Sequence, residues 1–403
     1  MRKLDIQSKA FKAAPHQRLA EAIADDSFAR VRIPLFGEIK AALTHGAVHQ
    51  ILKDSDRFAV DARNAGHKRA FGFPFMPKSL KLLSQNILSL DDPDHQRLRR
   101  LADAPFRRAA IETGRPQVAE LVDSYLDQIA ALESPEIDLV ETVFRPLPLR
   151  VISQLLGLTD AARDRLLKTM EGFSGASSTW GMLRALAGIG GTVKQLRTEI
   201  DLARRDPRPG LLSELINAEA EGGKMSEDEL VSLVLVLFVA GHETTTNLLS
   251  SGLFALMTEP GAWQAAQALD ADGWRVAVDE LMRFAIPIHM TKPRFVITDT
   301  EIDGTPFKRG DTVIALLGAA NLDPAVFENP LKLDLTRRPN RHTGWGGGPH
   351  ICLGLHLAKM ETELTLARIV QRWPDLALGE ELKWSKRLGT RGLERMPVRL
   401  KSQ

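Results

Sequence analysis

One stretch of the chain reads Gly344-Trp345-Gly346-Gly347-Gly348-Pro349-His350-Ile351-Cys352-Leu353-Gly354. Its glycines let the backbone approach a flat ligand closely. A helical pattern follows the cysteine, with one apolar face formed by Leu353, Leu357, Met360 and Leu364. Cys352 therefore lies where a helix begins, and the free amides and dipole there stabilise a thiolate. The residues alone leave two other interpretations open, a small buried cysteine and an anion-binding glycine loop.

Cys352 is the only cysteine among 403 residues. A single thiol excludes an intrachain disulfide, a zinc site with two thiolates and an iron–sulfur cluster held by this chain's own cysteines. The start, Met1–Asp5, lacks the apolar core of a signal peptide. The longest apolar stretch, residues 230–240, is shorter than the roughly 20 residues of a membrane span. We therefore expect a cytoplasmic protein with no membrane partner.

The composition is that of a globular protein. Hydrophobic residues make up 44% and charged residues 26%, so the chain can bury a large core. Lys and Arg number 53 against 51 acidic residues, a net charge of +2. This near-balance gives no global reason to expect nucleic acid as a partner.

Helical periodicity dominates from Asp91 to about Glu259, and short strands and turns follow Arg283, for example at residues 300–304 and 307–314. The segment from Gly172 to Gly191 is rich in Gly and Ser and is expected to be a mobile connection. No repeat, low-complexity tract or clear linker divides the chain. These patterns predict a mainly α protein with a smaller β-rich region, folded as a single domain over residues 1–403.

The clearest helix prediction covers Glu227 to Met257. Ser226 and Glu229 form a capping box at its start. The first half is apolar on every face, which is typical of a buried helix. Burial makes the polar insertion at residues 241–247 costly, so we expect chemistry there.

The cysteine-containing stretch resembles the haem-binding signature of the cytochromes P450, Phe-Gly-x-Gly-x-His-x-Cys-x-Gly. The family's fixed positions are filled here by Gly346, Gly348, His350, Cys352 and Gly354. The resemblance implies a cytochrome P450 fold, with heme b (iron protoporphyrin IX) between the long central helix and the loop that bears Cys352, the iron ligand. Trp345 and Gly346 would line the haem. Trp345 replaces the usual Phe, and a larger ring beside the thiolate can alter the tilt or potential of the haem.

A second segment, Asp91-Asp92-Pro93-Asp94-His95-Gln96-Arg97-Leu98-Arg99, is similar to the family's Asp-Pro-x-x-His-x-x-x-Arg motif. The resemblance implies that His95 and Arg99, together with Arg294 and His350, bind the haem propionates. Cationic side chains stabilise the two buried propionate carboxylates by charge-assisted hydrogen bonds. Between Pro287 and Arg294 the chain is one residue longer than the common pattern.

Glu280-Leu281-Met282-Arg283 resembles the family's Glu-x-x-Arg motif. Residues three apart share a helix face and can pair, and an isolated match is more often an ordinary surface pair. In the family the pair is buried and supports the fold behind the haem. The resemblance therefore implies a structural role for Glu280 and Arg283.

Ala240-Gly241-His242-Glu243-Thr244 resembles the family's oxygen-binding stretch. The small residues Ala240 and Gly241 would leave room for a diatomic ligand. The carboxylate of Glu243 and the hydroxyl of Thr244 can relay protons and are the expected catalytic residues. The alternative for Thr244 is a hydroxyl bonded back to the carbonyl one turn earlier. A zinc-protease motif is excluded because Thr246 occupies the place of its second His.

The resemblance places six residues around a substrate pocket: Phe71, Phe73, Leu237, Ile288, His289 and Thr390. Most are apolar, so we expect a small or medium apolar organic substrate. His289 is a candidate to bond one polar group of that substrate, and a satisfied structural histidine is the alternative.

Electrons must come from another protein, since the chain has no Gly-x-Gly-x-x-Gly dinucleotide loop. A ferredoxin or flavodoxin-like donor with an NAD(P)H-dependent reductase is implied. Four arginines near the second motif are candidates to meet an acidic donor, or form only a solvated face: Arg97, Arg100, Arg107 and Arg108.

The expected reaction is insertion of one oxygen atom from O2, as hydroxylation or oxidative demethylation. Two alternatives remain: a peroxide-driven peroxygenase, which typically lacks the acid–alcohol pair, and a haem-based sensor or carrier without turnover.

Overall fold

The computed structural model describes residues 1–8, 11, 14–33, 36–67, 86–132, 134–171, 179–220 and 225–400. Its α-helices are α1 (Pro15–Asp25), α2 (His45–Lys53), α3 (Asp94–Asp103), α4 (Arg108–Thr113), α5 (Arg115–Ala130), α6 (Pro146–Leu156), α7 (Asp160–Glu171), α8 (Thr179–Arg205), α9 (Leu211–Ala220), α10 (Glu227–Thr258), α11 (Ala262–Gln267), α12 (Ala271–Phe284), α13 (Leu317–Ala320) and α14 (Leu355–Arg372). Its strands are β1 (Phe28–Ile33), β2 (Gly37–Ala42), β3 (Phe58–Ala59), β4 (Ile137–Asp138), β5 (Arg294–Val296), β6 (Thr300–Ile302), β7 (Thr305–Phe307), β8 (Thr312–Ala315), β9 (Ala377–Leu378), β10 (Lys383–Trp384), β11 (Leu393–Arg395) and β12 (Pro397–Arg399).

The chain forms two compact units. The first unit consists of Met1–Lys68, Thr113–Leu147 and Glu243–Gln403, and the second of Arg69–Glu112 and Pro148–His242. Within the described ranges, every strand lies in the first unit and the second unit is helical. The expected mainly α fold with a smaller β region is confirmed. The single domain over residues 1–403 stays a prediction.

The main sheet of the first unit has the strand order β1-β2-β8-β5-β3. Strands β2 and β8 pair in parallel, and the other neighbours are antiparallel. The strands expected after Arg283 are present, although the second predicted stretch, residues 307–314, ends β7 and then turns before β8 begins. Gly310 makes this turn with a φ of 90°, which a side chain would strain.

An apolar core packs against this sheet. The Phe307 ring meets those of Phe28 and Phe58 edge to face, with centroid distances of 5.3 and 6.4 Å. Met282 of α12 belongs to the same buried cluster, and the Trp345 side chain packs on it. The loop that precedes Cys352 is therefore anchored in the main core of the first unit.

The long helix α10 agrees with its prediction to within one residue at its end. The Ser226 hydroxyl accepts the Glu229 amide at 3.3 Å, and the Glu229 carboxylate accepts the Ser226 amide at 2.8 Å, so the capping box is confirmed. By length and composition α10 is the one described helix that could cross a membrane, but 56% of its most apolar window is buried. Buried core helices can be equally long and apolar, so length and composition alone do not indicate a membrane span.

The structure contradicts part of the expected mobile connection and does not describe two of the expected pocket residues. The mobile connection expected over residues 172–191 is wrong from Thr179 onward, because these residues begin α8. Each glycine costs a helix about 1 kcal/mol relative to alanine, yet packing of α8 against α7 and α9 outweighs this local preference. Residues 172–178, and the pocket residues Phe71 and Phe73, lie outside the described residues.

Candidate active site

The loop before Cys352 is held in one conformation by its own backbone. The Cys352 amide donates to the Trp345 carbonyl at 2.8 Å, and the Gly346 amide donates to the Thr343 carbonyl at 2.8 Å. Gly346 and Gly348 have φ angles of 73° and 63°, in the left-handed region that favours glycine. A Cβ on Gly348 would also overlap the Leu52 carbonyl oxygen. The loop thus rests directly on the end of α2.

The surroundings of Cys352 fit a haem better than a bare metal ion. The described residues contain no group of three or more His, Cys, Asp or Glu side chains that could hold an ion. A lone thiolate suits an iron whose other ligands belong to a macrocycle. Leu353 and Leu355 are only partly buried, and a Cβ at Gly354 would meet no atom within 4 Å. Open space and partly exposed apolar side chains beside the thiol match a flat apolar cofactor. The helix α14 begins three residues after Cys352.

Glu280 and Arg283 form a fully buried ion pair, with both side chains 0% exposed. The guanidinium makes two hydrogen bonds of 2.8 Å to the carboxylate. Glu280 also accepts from Arg337 at 3.1 Å, from Asn340 at 3.0 Å and from the Asp334 amide at 2.9 Å. This geometry excludes the alternative of a surface pair.

A chain of hydrogen bonds runs from this pair to the cysteine loop. Arg283 donates to the Asn321 carbonyl at 2.9 Å, and the Asn321 amide group donates back to the Arg283 carbonyl at 3.1 Å. The Asn321 side-chain oxygen accepts the Thr343 amide at 2.7 Å, and Thr343 in turn accepts from Gly346. The link between Asn321 and Thr343 joins residues 22 positions apart in the chain, so no short sequence pattern indicates it.

Of the four residues expected to hold propionates, each unit contains two. In the first unit Arg294 is buried at the start of β5, and His350 ends the short helical turn before Cys352. In the second unit His95 and Arg99 are one turn apart on α3. Burial lowers the pKa of His95, against the opposing influence of Asp92 3.4 Å away. The lowered pKa favours the neutral imidazole, which can still donate an N–H group to an acceptor.

Gly241 has a packing role that the sequence did not indicate. In the second unit, a Cβ at Gly241 would lie 2.8 Å from the Ile152 Cγ1 atom of α6. Ile152 thus fills the space beside this glycine. That space was expected to remain open for a diatomic ligand. The oxygen-binding groove at Ala240 and Gly241 stays a prediction.

Glu243 and Thr244, the expected relay residues, are neighbours in the first-unit part of α10 and are both partly buried. The Glu243 carboxylate is paired with the guanidinium of Arg387. The sequence gave no sign of this partner, because the two residues are far apart in the chain.

A cavity of about 300 Å³ lies in the first unit. Its apolar lining includes Ile6, Phe11, Pro15, Leu19, Met290 and Leu388, and its polar lining includes His289, Arg387, Thr390 and Arg391. Of the predicted pocket residues, His289 and Thr390 line this cavity. Ile288 forms a β-bridge with Thr390 but is not part of the lining. Leu237 is buried in the second unit.

Two polar atoms at this cavity are unsatisfied. His289 Nδ1 and Thr390 Oγ1 are buried and have no hydrogen-bond partner among the residues that the structure describes. Burial lowers the pKa of His289 to about 3, and the nearby Arg391 charge adds to this effect. The imidazole is therefore neutral at ordinary pH. A Cβ on Gly318 would overlap the imidazole ring, so this glycine makes room for it.

Comparison with known proteins gives concordant matches. The Cytochrome P450 family model matches residues 189–268 and 275–378. Cytochrome P450 monooxygenase PikC of Streptomyces venezuelae is 32% identical over 393 residues, or 96% of this chain and 92% of PikC. Mycinamicin IV hydroxylase/epoxidase of Micromonospora griseorubida is 35% identical over 324 residues, covering 79% and 80%. The solved structure of myxobacterial cytochrome P450 CYP267B1 with myristic acid is 32% identical, with a TM-score of 0.89 over 99% of each chain. The similarity extends across both units.

Proposed function

The chain belongs to the cytochrome P450 family of monooxygenases, and on that basis we propose that it inserts one oxygen atom from O2 into an apolar organic substrate, with heme b as cofactor. The observation that carries this proposal is the Cys352 loop. It presents a single thiol beside open, apolar space, and the described residues offer no alternative metal cluster.

In this proposal Cys352 would hold the haem iron through its thiolate, and Trp345 and Gly346 would line the haem. Arg294 and His350 would hold the propionates, the role that the family resemblance also gives to His95 and Arg99. When bound, the haem iron supplies the activation of oxygen, which a thiolate ligand favours by donating electron density.

Glu243 and Thr244 are proposed to deliver the protons of the reaction. The conversion of R–H and O2 to R–OH and water takes up two electrons and two protons. A carboxylate can collect a proton from water, and an adjacent hydroxyl can pass it inward. Ala240 and Gly241 are proposed to form the oxygen-binding groove.

The electrons are proposed to come from NAD(P)H through a reductase and a ferredoxin or flavodoxin-like protein in the cytoplasm. Two of the arginines suggested for docking are already engaged. Arg97 bonds Glu229 and Asp94, and Arg107 bonds Asp103. Arg108 is exposed, and so is Arg100, whose guanidinium bonds the neutral side chain of Gln96 rather than a carboxylate. These two are the better candidates to meet an acidic donor.

The substrate is proposed to have an apolar body and one polar group. The apolar lining of the 300 Å³ cavity favours the body, and the unsatisfied atoms of His289 and Thr390 favour the polar group, because an unpaired buried polar atom costs free energy. One relative is named for oxidising mycinamicin IV, and CYP267B1 was solved with myristic acid. The reaction is proposed to be hydroxylation or oxidative demethylation.

The absorption spectrum of the reduced, carbon monoxide-bound protein tests the proposal, with Cys352→Ser beside the wild type. We expect the red-shifted Soret band of a thiolate-ligated haem in the wild type and its loss in the variant. Properly folded wild type without haem absorbance would contradict the proposal. Oxygen consumption with NAD(P)H and surrogate donor proteins then separates a monooxygenase from a sensor, and dependence on added peroxide alone would indicate a peroxygenase.

A further inference from the structure

The segment Ser385–Leu393, called here the C-terminal loop, is attached to one face of α10. Three of the α10 residues that contact it follow Glu243 by four, seven and eight positions, so all four share a helix face: Glu243, Asn247, Ser250 and Ser251. All these residues belong to the first unit.

The contacts made by α10 residues C-terminal to Glu243 fix the position of the loop on the helix. The Leu393 amide donates to the Ser250 hydroxyl at 3.1 Å, and the Ser251 hydroxyl donates to the Arg391 carbonyl at 3.5 Å. The Asn247 side chain occupies the space that a side chain at position 392 would need. A Cβ on Gly392 would overlap the Asn247 side-chain oxygen. The backbone of the loop is thus held against α10 one to two turns after Glu243.

Arg387 extends from this loop to the Glu243 carboxylate. The two side chains are 44% and 34% exposed, so the pair contributes little to stability. Its effect is on geometry, because a guanidinium fixed on a docked loop restricts the rotamers of a flexible Glu. Arg387 also lines the cavity that contains His289 and Thr390.

We propose that Arg387 is a positioning residue, which holds the Glu243 carboxylate where it can deliver protons during turnover. The inference rests on the proposed function, in which Glu243 is the proton donor. Without Arg387 the carboxylate samples other orientations, and the fraction of time in which it is aligned for transfer falls. The overall reaction is unchanged: R–H, O2, two electrons from NAD(P)H and two protons give R–OH and water.

The test compares four variants with the wild-type holoenzyme: Arg387→Gln, Arg387→Lys, Glu243→Gln and the double variant Glu243→Gln/Arg387→Gln. Lys386→Gln is the matched control, since it removes one exposed positive charge from the same loop. Myristic acid is the probe substrate, and surrogate ferredoxin and reductase supply electrons. Oxygen consumption is measured with and without the probe, in H2O and in D2O, and probe affinity by spectral titration.

We expect Arg387→Gln to lower the turnover rate about tenfold and to raise the solvent isotope effect, because proton delivery becomes limiting. Probe affinity should not change. Arg387→Lys should restore most of the rate, and Lys386→Gln should behave as wild type. The double variant should be no slower than Glu243→Gln, because Arg387 acts only through Glu243.

Other outcomes overturn the inference. Additive losses in the double variant would show that Arg387 acts independently of Glu243. A weaker affinity for myristic acid with an unchanged maximal rate would show that Arg387 contacts the substrate instead. Wild type that lacks the thiolate spectrum or consumes no oxygen contradicts the proposed function itself. Normal wild-type turnover with an unaffected Arg387→Gln variant contradicts only the inference.

Discussion

Glu280 accepts hydrogen bonds from Arg283, Arg337, Asn340 and the Asp334 amide in an interior without solvent access. A buried charge needs this degree of compensation, because its desolvation costs several kcal/mol. Asn321 and Thr343 extend the network to the loop of the proposed iron ligand. At the scale of single residues, the ion pair therefore supports both the fold and the proposed cofactor site.

The substitution Glu280→Met leaves the Arg283 guanidinium buried without its carboxylate. We expect it to lower the free energy of unfolding by about 3–5 kcal/mol, measured by chemical denaturation. Asp272→Asn is the matched control on the same helix, since Asp272 and Arg275 form a surface pair with side chains 81% and 50% exposed. The control should cost no more than about 1 kcal/mol. Equal effects of the two substitutions would contradict a structural role for Glu280.

At the scale of elements, the approach of α6 to the second-unit part of α10 depends on Gly241. Ile152 contacts the position of the missing side chain through Cγ1, Cδ1 and Cβ, at 2.8 to 3.2 Å from an ideal Cβ atom. Distances this short cannot be accommodated without movement in a close-packed interior. The packing of Ile152 against α10 thus explains the glycine at position 241.

Gly241→Ala should destabilise the protein by about 1–3 kcal/mol, because it overpacks this contact. Gly190→Ala, the same substitution in α8, should be neutral or stabilising by up to about 1 kcal/mol, since no atom lies within 4 Å of its added Cβ. A double-mutant cycle of Gly241→Ala with Ile152→Ala, followed by thermal denaturation, checks the cause. The double variant should lose less than the sum of the single variants, and strict additivity would argue against the steric explanation.

At the scale of the whole molecule, the net charge of +2 gives no general attraction for a partner. Association with an acidic electron donor must then depend on local charge. Arg100 and Arg108 are exposed in the second unit, whereas Arg97 and Arg107 have carboxylates of this chain as partners. Substitution of Arg100 and Arg108 alone therefore tests the docking proposal.

Turnover with a surrogate acidic ferredoxin should fall as salt is raised above about 0.1 M, where the Debye length drops below about 10 Å. Arg100→Gln/Arg108→Gln should slow electron transfer at low salt and flatten its salt dependence. Arg309→Gln, which removes an exposed positive charge in the first unit, is the control. If the rates of wild type and of the double variant respond equally to salt, these arginines do not form the docking site.

The sequence by itself determined the features that depend on residues close together in the chain. The spacing around Cys352, the Glu280–Arg283 separation and the capping box of α10 are local patterns, and helical periodicity located α10 to within one residue. Such features are readable because backbone geometry converts short sequence spacing directly into a shared face or turn.

Only the tertiary structure decided the partners that lie far apart in the chain. It paired Arg387 with Glu243, linked Thr343 to Asn321, placed Ile152 against Gly241 and made a helix of residues whose glycines indicated a connection. The physical reason is that these contacts arise from packing, which no short-range pattern records. Packing energies also exceed the roughly 1 kcal/mol preferences by which a single residue favours one local conformation.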